Sequence, residues 1–242
     1  MSHLRIGFGV LALFLCAVAD GNGASLPIVN PSFEDISGAD PVHFEANGKL
    51  RDNHYTVVPG YPAEPTGLMV ADAIPGWTTT SSAGTYNPPA RLVPLEAPHG
   101  INVAWVNVTG VIRQTLAINF EANTTYELTV EVGSLQGFGF PGYEVGLFGA
   151  GKAVAVDRSL TALAAPGRFG TARVSVWIGE DSPMVGTPIE IRLGIPGNGS
   201  DQVDFDWVTL DAVSVQEPSM FVLLACGVVA AGMLIVRRGH TR

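Results

Sequence analysis

Cysteine is almost missing from this sequence. The two cysteines, Cys16 and Cys226, both lie in apolar stretches near the ends of the chain, so residues 25–217 contain none. Disulfides therefore cannot stabilise that region, even in a compartment where they would persist. A hydrophobic core or a bound metal must do so instead, and about 190 residues are enough to form one sizeable core.

Positive charge is also scarce. Residues 25–217 carry 21 Asp and Glu against 9 Lys and Arg, a net charge of −12. A phosphate backbone needs a basic face, so this composition argues against a nucleic acid partner. An acidic chain without disulfides favours calcium binding, because calcium is held by carboxylate and carbonyl oxygens.

The common enzyme motifs are missing as well. The sequence has no Gly-x-Ser-x-Gly, no His-Glu-x-x-His and no Walker loop. Away from the two ends, only His43, His54 and His99 remain as histidines. A Ser-His-Asp site assembles in space, so spacing alone leaves it open. The motif content predicts a protein without catalytic activity.

Long amphipathic helices are missing from the centre, where short runs of alternating residues take their place. In residues 125–132, Tyr, Leu, Val and Val alternate with Thr and Glu, as in a half-buried strand. Residues 143–148, 172–178, 188–193 and 203–215 read similarly, and 29 glycines and 17 prolines punctuate the chain. The pattern predicts an all-β antiparallel sandwich over residues 25–215, and among sandwich folds it favours a jelly roll.

Both ends of the chain are apolar. Arg5 precedes an apolar stretch, and small residues near Ala19 offer a cleavage site, so residues 1–24 are predicted to be a signal peptide with a short helix. Residues 220–236 carry no charge and precede Arg237 and Arg238. They predict a short transmembrane helix, about 25 Å long, with a cytoplasmic basic tail.

The order of Glu217, Pro218, apolar helix and arginines resembles the PEP-CTERM sorting signal of exosortase substrates. Gln216 stands where that family usually has its first proline. The resemblance implies that residues 216–242 are a sorting signal. The protein would be exported, held in the membrane, cleaved near Pro218 by an exosortase-type enzyme, and passed to the cell surface or extracellular matrix. A permanent anchor is the competing interpretation.

Four motifs, in residues 28–34, 74–77, 111–116 and 205–213, follow the order seen in galactose-binding-like jelly rolls of carbohydrate-binding modules. This resemblance implies that the first and last strands are adjacent. It also implies a structural calcium at Glu34 and Asp211, completed by ligands that the sequence does not name. The alternative is a surface carboxylate in each strand.

Four residues are candidates for ligand contact. Trp77 and Tyr86 lie in loop contexts and could stack on a sugar, although aromatics in a sandwich are more often core. Asp204 and Asp206 share one face of an extended strand. They could face a ligand or a second cation, or lie in solvent. These residues predict a non-catalytic, calcium-stabilised protein that binds extracellular polysaccharide. A structural matrix component is another possibility.

A third resemblance gives a catalytic alternative. The stretches 28–34, 74–77 and 84–88 are similar to those of the calcium-dependent Stig cyclases, which rearrange prenylated indoles. The resemblance implies that Asp204 or Asp206 is the proton donor and that Tyr86 lines the pocket. A carboxylate could act in this way if an apolar pocket raised its pKa.

Overall fold

A computed structural model gives the fold of the chain. It describes residues 23–35, 56–57, 69–71, 74–80, 83–86, 88, 97–107, 109–159, 161, 165–197 and 201–214. The predicted signal helix, the predicted helix 220–236 and most of the segment 35–74 lie outside these residues. Among the described residues, no helix has the length and apolar character needed to cross a membrane. The domain boundaries at residues 24 and 215 stay a prediction.

The described residues form strands joined by turns. The strands are β1 (Ala24–Ser25), β2 (Thr56–Val57), β3 (Met69–Ala71), β4 (Thr78–Thr79), β5 (Ala83–Tyr86), β6 (Val103–Asn107), β7 (Val111–Asn119), β8 (Thr124–Ser134), β9 (Tyr143–Gly149), β10 (Lys152–Ser159), β11 (Arg168–Ile178), β12 (Pro188–Gly194) and β13 (Gln202–Ser214).

These strands build two sheets in which every pairing is antiparallel. The larger sheet has the order β11-β8-β13-β6-β5-β3-β2, with β1 also paired to β13, and the smaller has the order β10-β9-β12-β7-β4. The predicted all-β antiparallel sandwich is confirmed. The first and last strands are adjacent, as Ala24 lies opposite Ala212.

The core lies between the two sheets and follows the predicted alternation. In β8, Tyr126, Leu128, Val130 and Val132 are buried in this core, and the residues between them are only partly covered. Each such aliphatic side chain contributes about 1.5–3 kcal/mol when it is fully removed from water. The period-two pattern of this strand therefore both fixes its register and supplies much of the packing.

Strand β13 changes its alternation halfway along. Val203 and Phe205 point into the core before the change, and Val208 and Leu210 do so after it. Between these pairs the register with β8 shifts, and Trp207 adopts a φ of 41°. Such a β-bulge places one extra residue in a strand and redirects the following side chains. The strand thereby keeps its apolar side chains in the core along its whole length.

The acidic residues of β13 consequently lie on the opposite face of the larger sheet, here called the outward face. Asp204 and Asp206 alternate with Val203 and Phe205, yet both acids are fully buried. Tyr86 on β5 is also buried without belonging to the core between the sheets. Around these strands the larger sheet is therefore covered on both sides, and one side contains carboxyl groups.

Candidate functional site

A row of residues crosses five strands of the outward face and has Asp204 in its middle. Asp204 lies directly opposite Gly133 on β8 and Trp105 on β6. Phe169 on β11 lies opposite Gly133, and Gly84 on β5 lies opposite Trp105. With about 4.8 Å between strands, this Asp204 row spans roughly 19 Å. It places an acid between two aromatic residues.

Asp204 is held by two side-chain donors. The Tyr86 hydroxyl donates to Oδ2 at 2.6 Å, and Nε2 of Gln202 donates to Oδ1 at 2.6 Å. The ion pairs among the described residues all involve other carboxylates. Burial raises the pKa of Asp204 to about 7, although the two hydrogen bonds oppose that rise. The carboxyl group can therefore carry a proton near neutral pH and release it.

Gly133 makes room beside this acid. A Cβ atom at position 133 would lie 2.7 Å from two ring atoms of Phe169 and 3.1 Å from Cβ of Asp204. Both distances are shorter than ordinary van der Waals contact, so a side chain here would displace the ring. Glycine allows the Phe169 ring to lie against β8, next to Asp204.

Trp105 lies beside Asp204 on the side away from Gly133, and its indole ring carries an N–H group. Its Nε1 atom is buried and has no hydrogen-bond partner among the residues that the structure describes. Buried polar groups in native proteins almost always have a partner, so this donor is unusual.

Asp206 has a different environment, although it shares the outward face. The backbone N–H groups of His99 and Trp207 donate to Oδ2 at 2.8 Å and to Oδ1 at 2.7 Å. Burial raises its pKa to about 7, these two bonds lower it, and the charges of Glu34 and Glu131 raise it. Both oxygens bind the main chain, so Asp206 fastens the residues before β6 to the bulge of β13.

Glu34 also binds the residues that precede β6. Its Oε1 accepts the backbone N–H groups of Ile101 at 2.9 Å and Asn102 at 2.7 Å. Gly100 has a φ of 73°, and a Cβ atom there would lie 2.4 Å from the Glu34 carboxyl. Glu34 and Asp206 together fix residues 99–102, which lead into β6 and hence towards Trp105.

The structure does not bring the predicted calcium ligands Glu34 and Asp211 together. Asp211 is exposed and lies opposite Glu127 and Ser25, on the far half of β13. Glu34 is close enough to Asp206 for its charge to raise the pKa of Asp206, whereas five positions that include the bulge separate Asp206 from Asp211. No group of three or more His, Cys, Asp or Glu side chains that could hold a metal ion occurs among the described residues. Among the described residues, Glu34 and Asp211 therefore share no hydrogen-bond or pairing partner.

The two aromatic residues that were predicted to contact a ligand, Trp77 and Tyr86, lie in different environments. Trp77 belongs to the core between the sheets, packs against Phe33 at 5.5 Å between ring centroids, and donates its Nε1–H to the carbonyl of Asn30 at 3.1 Å. It is a core residue and not a platform for a sugar. Tyr86, in contrast, does meet Asp204.

Three residues of the site were missed by sequence reasoning, namely Gly133, Phe169 and Gln202, and nothing in the sequence distinguished Trp105 from the other tryptophans. Their positions depend on the register of strands that are far apart in the chain. The available signal was alternation, which places Gln202 on the same face as Asp204. No comparable signal linked β6, β8 and β11 to that residue.

Comparison with known proteins identifies the family of this chain. A model of the HpiC1 cyclase family matches residues 24–211. The solved structure of a Stig cyclase from Fischerella sp. TAU, in complex with (3Z)-3-(1-methyl-2-pyrrolidinylidene)-3H-indole, is 26% identical with a TM-score of 0.61, covering 80% of this chain and 100% of that one. A cyclase from Fischerella sp. TAU in complex with 4-(1H-indol-3-yl)butan-2-one is 27% identical, with the same coverage and TM-score. A sequence search of curated proteins gives no match.

These findings overturn one interpretation of the sequence and leave a second one without support. The prediction of a non-catalytic protein that binds extracellular carbohydrate is wrong, because the family match and the similar structures are those of cyclases. The PEP-CTERM description gains no support from them either, as the matched region ends before the C-terminal motif. Since the matched region covers most of its length, this chain belongs to the HpiC1-like cyclase family.

Proposed function

We propose that this protein is a cyclase that rearranges a hydrophobic prenylated indole, with Asp204 as the acid. The observation that carries the proposal is the buried Asp204 carboxyl, which has a pKa near 7 and lies between Trp105 and Phe169 in the Asp204 row. A general acid works best when its pKa is close to the working pH.

The first step is a proton transfer from the neutral Asp204 carboxyl to the substrate. Each carboxyl oxygen already accepts one hydrogen bond, from Tyr86 or from Gln202, and has a second lone pair that can hold the proton. The transfer leaves a carboxylate, which both donors stabilise. A cyclised product is an isomer of its substrate, so the proton must return to the site before the next turnover.

Asp204 is a better acid than Asp206 on geometric grounds. Both oxygens of Asp206 accept backbone N–H groups, which tie His99, before β6, to Trp207 in the bulge of β13. Among the described residues, Asp204 is instead bound by two side chains, and it lies between aromatic residues. We therefore assign proton donation to Asp204 and positioning of the segment before β6 to Asp206.

The aromatic neighbours suit an indole substrate. Trp105 and Phe169 present ring surfaces on the same sheet face as the acid, and aromatic pairs prefer offset or edge-to-face contacts worth about 0.5–1.5 kcal/mol beyond simple burial. An aromatic wall also stabilises positive charge through its ring faces. Protonation of an indole terpene creates such a charge next to these rings.

The test is turnover of a prenylated 3H-indole by the full-length protein, with products separated by mass spectrometry and identified by NMR. We expect cyclised isomers of unchanged mass. The Asp204→Asn variant should lose at least about 100-fold in rate, because general acids contribute about 10² to 10⁴-fold. Asp157→Asn is the matched control: it changes a carboxyl that binds Tyr143 on the smaller sheet, and it should retain activity. An Asp204→Asn variant with normal turnover would contradict the assignment.

Calcium dependence is a general property of Stig cyclases. We propose that it extends to this chain through residues other than the Glu34 and Asp211 pair. Chelation should then lower the melting temperature, and calcium should restore it in Glu34→Gln and Asp211→Asn variants as in the wild type. Loss of the calcium effect in both variants would instead support Glu34 and Asp211 as the calcium ligands.

We also propose that the enzyme works after export. Arg5 and the following apolar stretch support this, because they have the order of a secretory signal. The mass of the protein from its native host should then correspond to a chain that begins near residue 20 or 25. A mature chain that starts at Met1 would contradict export by this route.

A further inference from the structure

The indole N–H of Trp105 is a buried donor that has no acceptor among the described residues. Nε1 is a donor only, so it can be satisfied only by an acceptor. The residue opposite Trp105 on β5 is Gly84, which has no side chain to offer one. The residue opposite on β13 is Asp204, and neither of its oxygens accepts a hydrogen bond from the Trp105 N–H. The indole N–H therefore has no acceptor in its own row.

The position of this donor relates it to the proposed chemistry. Directly opposite residues in antiparallel strands have Cβ atoms about 4.5–5.5 Å apart, so Trp105 and Asp204 can contact the same small molecule. Trp105 also follows residues 99–102, which Glu34 and Asp206 hold through backbone hydrogen bonds. A donor on a fixed strand beside an acid is suited to orient a planar substrate.

We propose that the Trp105 N–H binds an acceptor atom of the substrate, such as a ring nitrogen of a 3H-indole or a carbonyl oxygen. This inference rests on the proposed cyclase function and adds a specificity determinant to it. The hydrogen bond would set which carbon of the substrate faces Asp204. A site that contains a buried donor discriminates against analogues without the acceptor, because the donor is then left unpaired.

The test compares two probes that differ in one acceptor: 4-(1H-indol-3-yl)butan-2-one and 3-butylindole, which lacks the carbonyl. Calorimetry with the full-length wild type should show that the ketone binds about five- to tenfold more tightly, as expected for one hydrogen bond. Replacing Trp105 by benzothienylalanine keeps the bicyclic shape and replaces N–H by sulfur. This variant should bind both probes with similar affinity.

Two further variants serve as controls. Trp105→Phe also removes the donor and should likewise abolish the preference. It takes the place of the benzothienyl variant if that variant folds poorly. Trp177→Phe alters a tryptophan on β11 that is 61% exposed, and it should leave the preference unchanged. Circular dichroism establishes that each variant is folded before binding is measured.

The outcomes separate this inference from the proposed function. A preference for the ketone that persists without the Trp105 N–H would overturn the inference while leaving the cyclase proposal intact. A wild type that cyclises a prenylated indole but binds both probes equally would also overturn the inference and leave the cyclase proposal intact. A wild type that binds neither probe and converts no prenylated indole would overturn both.

Discussion

Replacing Asp204 by asparagine should make the protein more stable at alkaline pH while it removes activity. In the unfolded chain, an aspartate ionises near pH 4, whereas burial keeps the native Asp204 carboxyl neutral up to about pH 7. Between these values the native state binds one more proton than the unfolded state. The free energy of unfolding therefore falls as the pH rises through this window.

The size of this effect follows from the rise in pKa. A change from the ordinary value of 3.8 to about 7 corresponds to about 4 kcal/mol of lost stability above pH 7. Between about pH 4.5 and about pH 8, about 3 kcal/mol of that loss should be measurable. Asparagine resembles the neutral acid in shape. Its oxygen can accept from Gln202, and its NH₂ group can donate to the Tyr86 hydroxyl oxygen.

The assay is urea unfolding of the wild type and the Asp204→Asn variant at both pH values, followed by tryptophan fluorescence. Asp206 also has a pKa of about 7 and is present in both proteins, so the wild type should lose about 3 kcal/mol more stability than the variant across this range. Contributions from the other carboxylates cancel when the two proteins are compared. Equal pH dependence in the two proteins would show that burial does not raise the pKa of Asp204, and the argument for it as an acid would fail with it.

Three further substitutions test other parts of the site. Tyr86→Phe removes a donor that stabilises the Asp204 carboxylate, so the alkaline limb of the pH–rate profile should move to higher pH; an unchanged limb would contradict this role. Asp206→Asn leaves one of two backbone N–H groups without an acceptor and should cost about 1–3 kcal/mol at about pH 5, measured by urea unfolding. Gly133→Val should displace Phe169, lower stability by about 1–3 kcal/mol and abolish turnover, and adding Phe169→Leu should restore part of the stability; full activity in the single variant would argue against this packing.

The fold could be predicted from the sequence because alternation is a local property. Residues 125–132 carry the pattern of a half-buried strand, and β8 has that pattern in the structure. The shared face of Asp204 and Asp206 could also be predicted, since they lie two positions apart. Neither inference requires knowledge of a neighbouring strand.

The composition of the site could not be predicted in this way, because it depends on contacts across long stretches of chain. Tyr86 and Asp204 are 118 positions apart, and only the packing of the core sets the strand order that joins them. Trp77 was misjudged for a local reason. Its loop context suggested exposure, but Gly76 adopts a φ of 84°, and the turn directs the indole into the core.

The alternation of β6, β8 and β13 also has an evolutionary consequence. Each strand gives one set of side chains to the core and the other set to the outward face, so a mutation at Trp105 alters the surroundings of Asp204 without removing a core residue. Substrate preference can therefore diverge among descendants while foldability is retained. A laboratory library at outward positions such as Trp105, with Gly133 and Asp206 kept unchanged, should contain a high proportion of folded members with new product ranges.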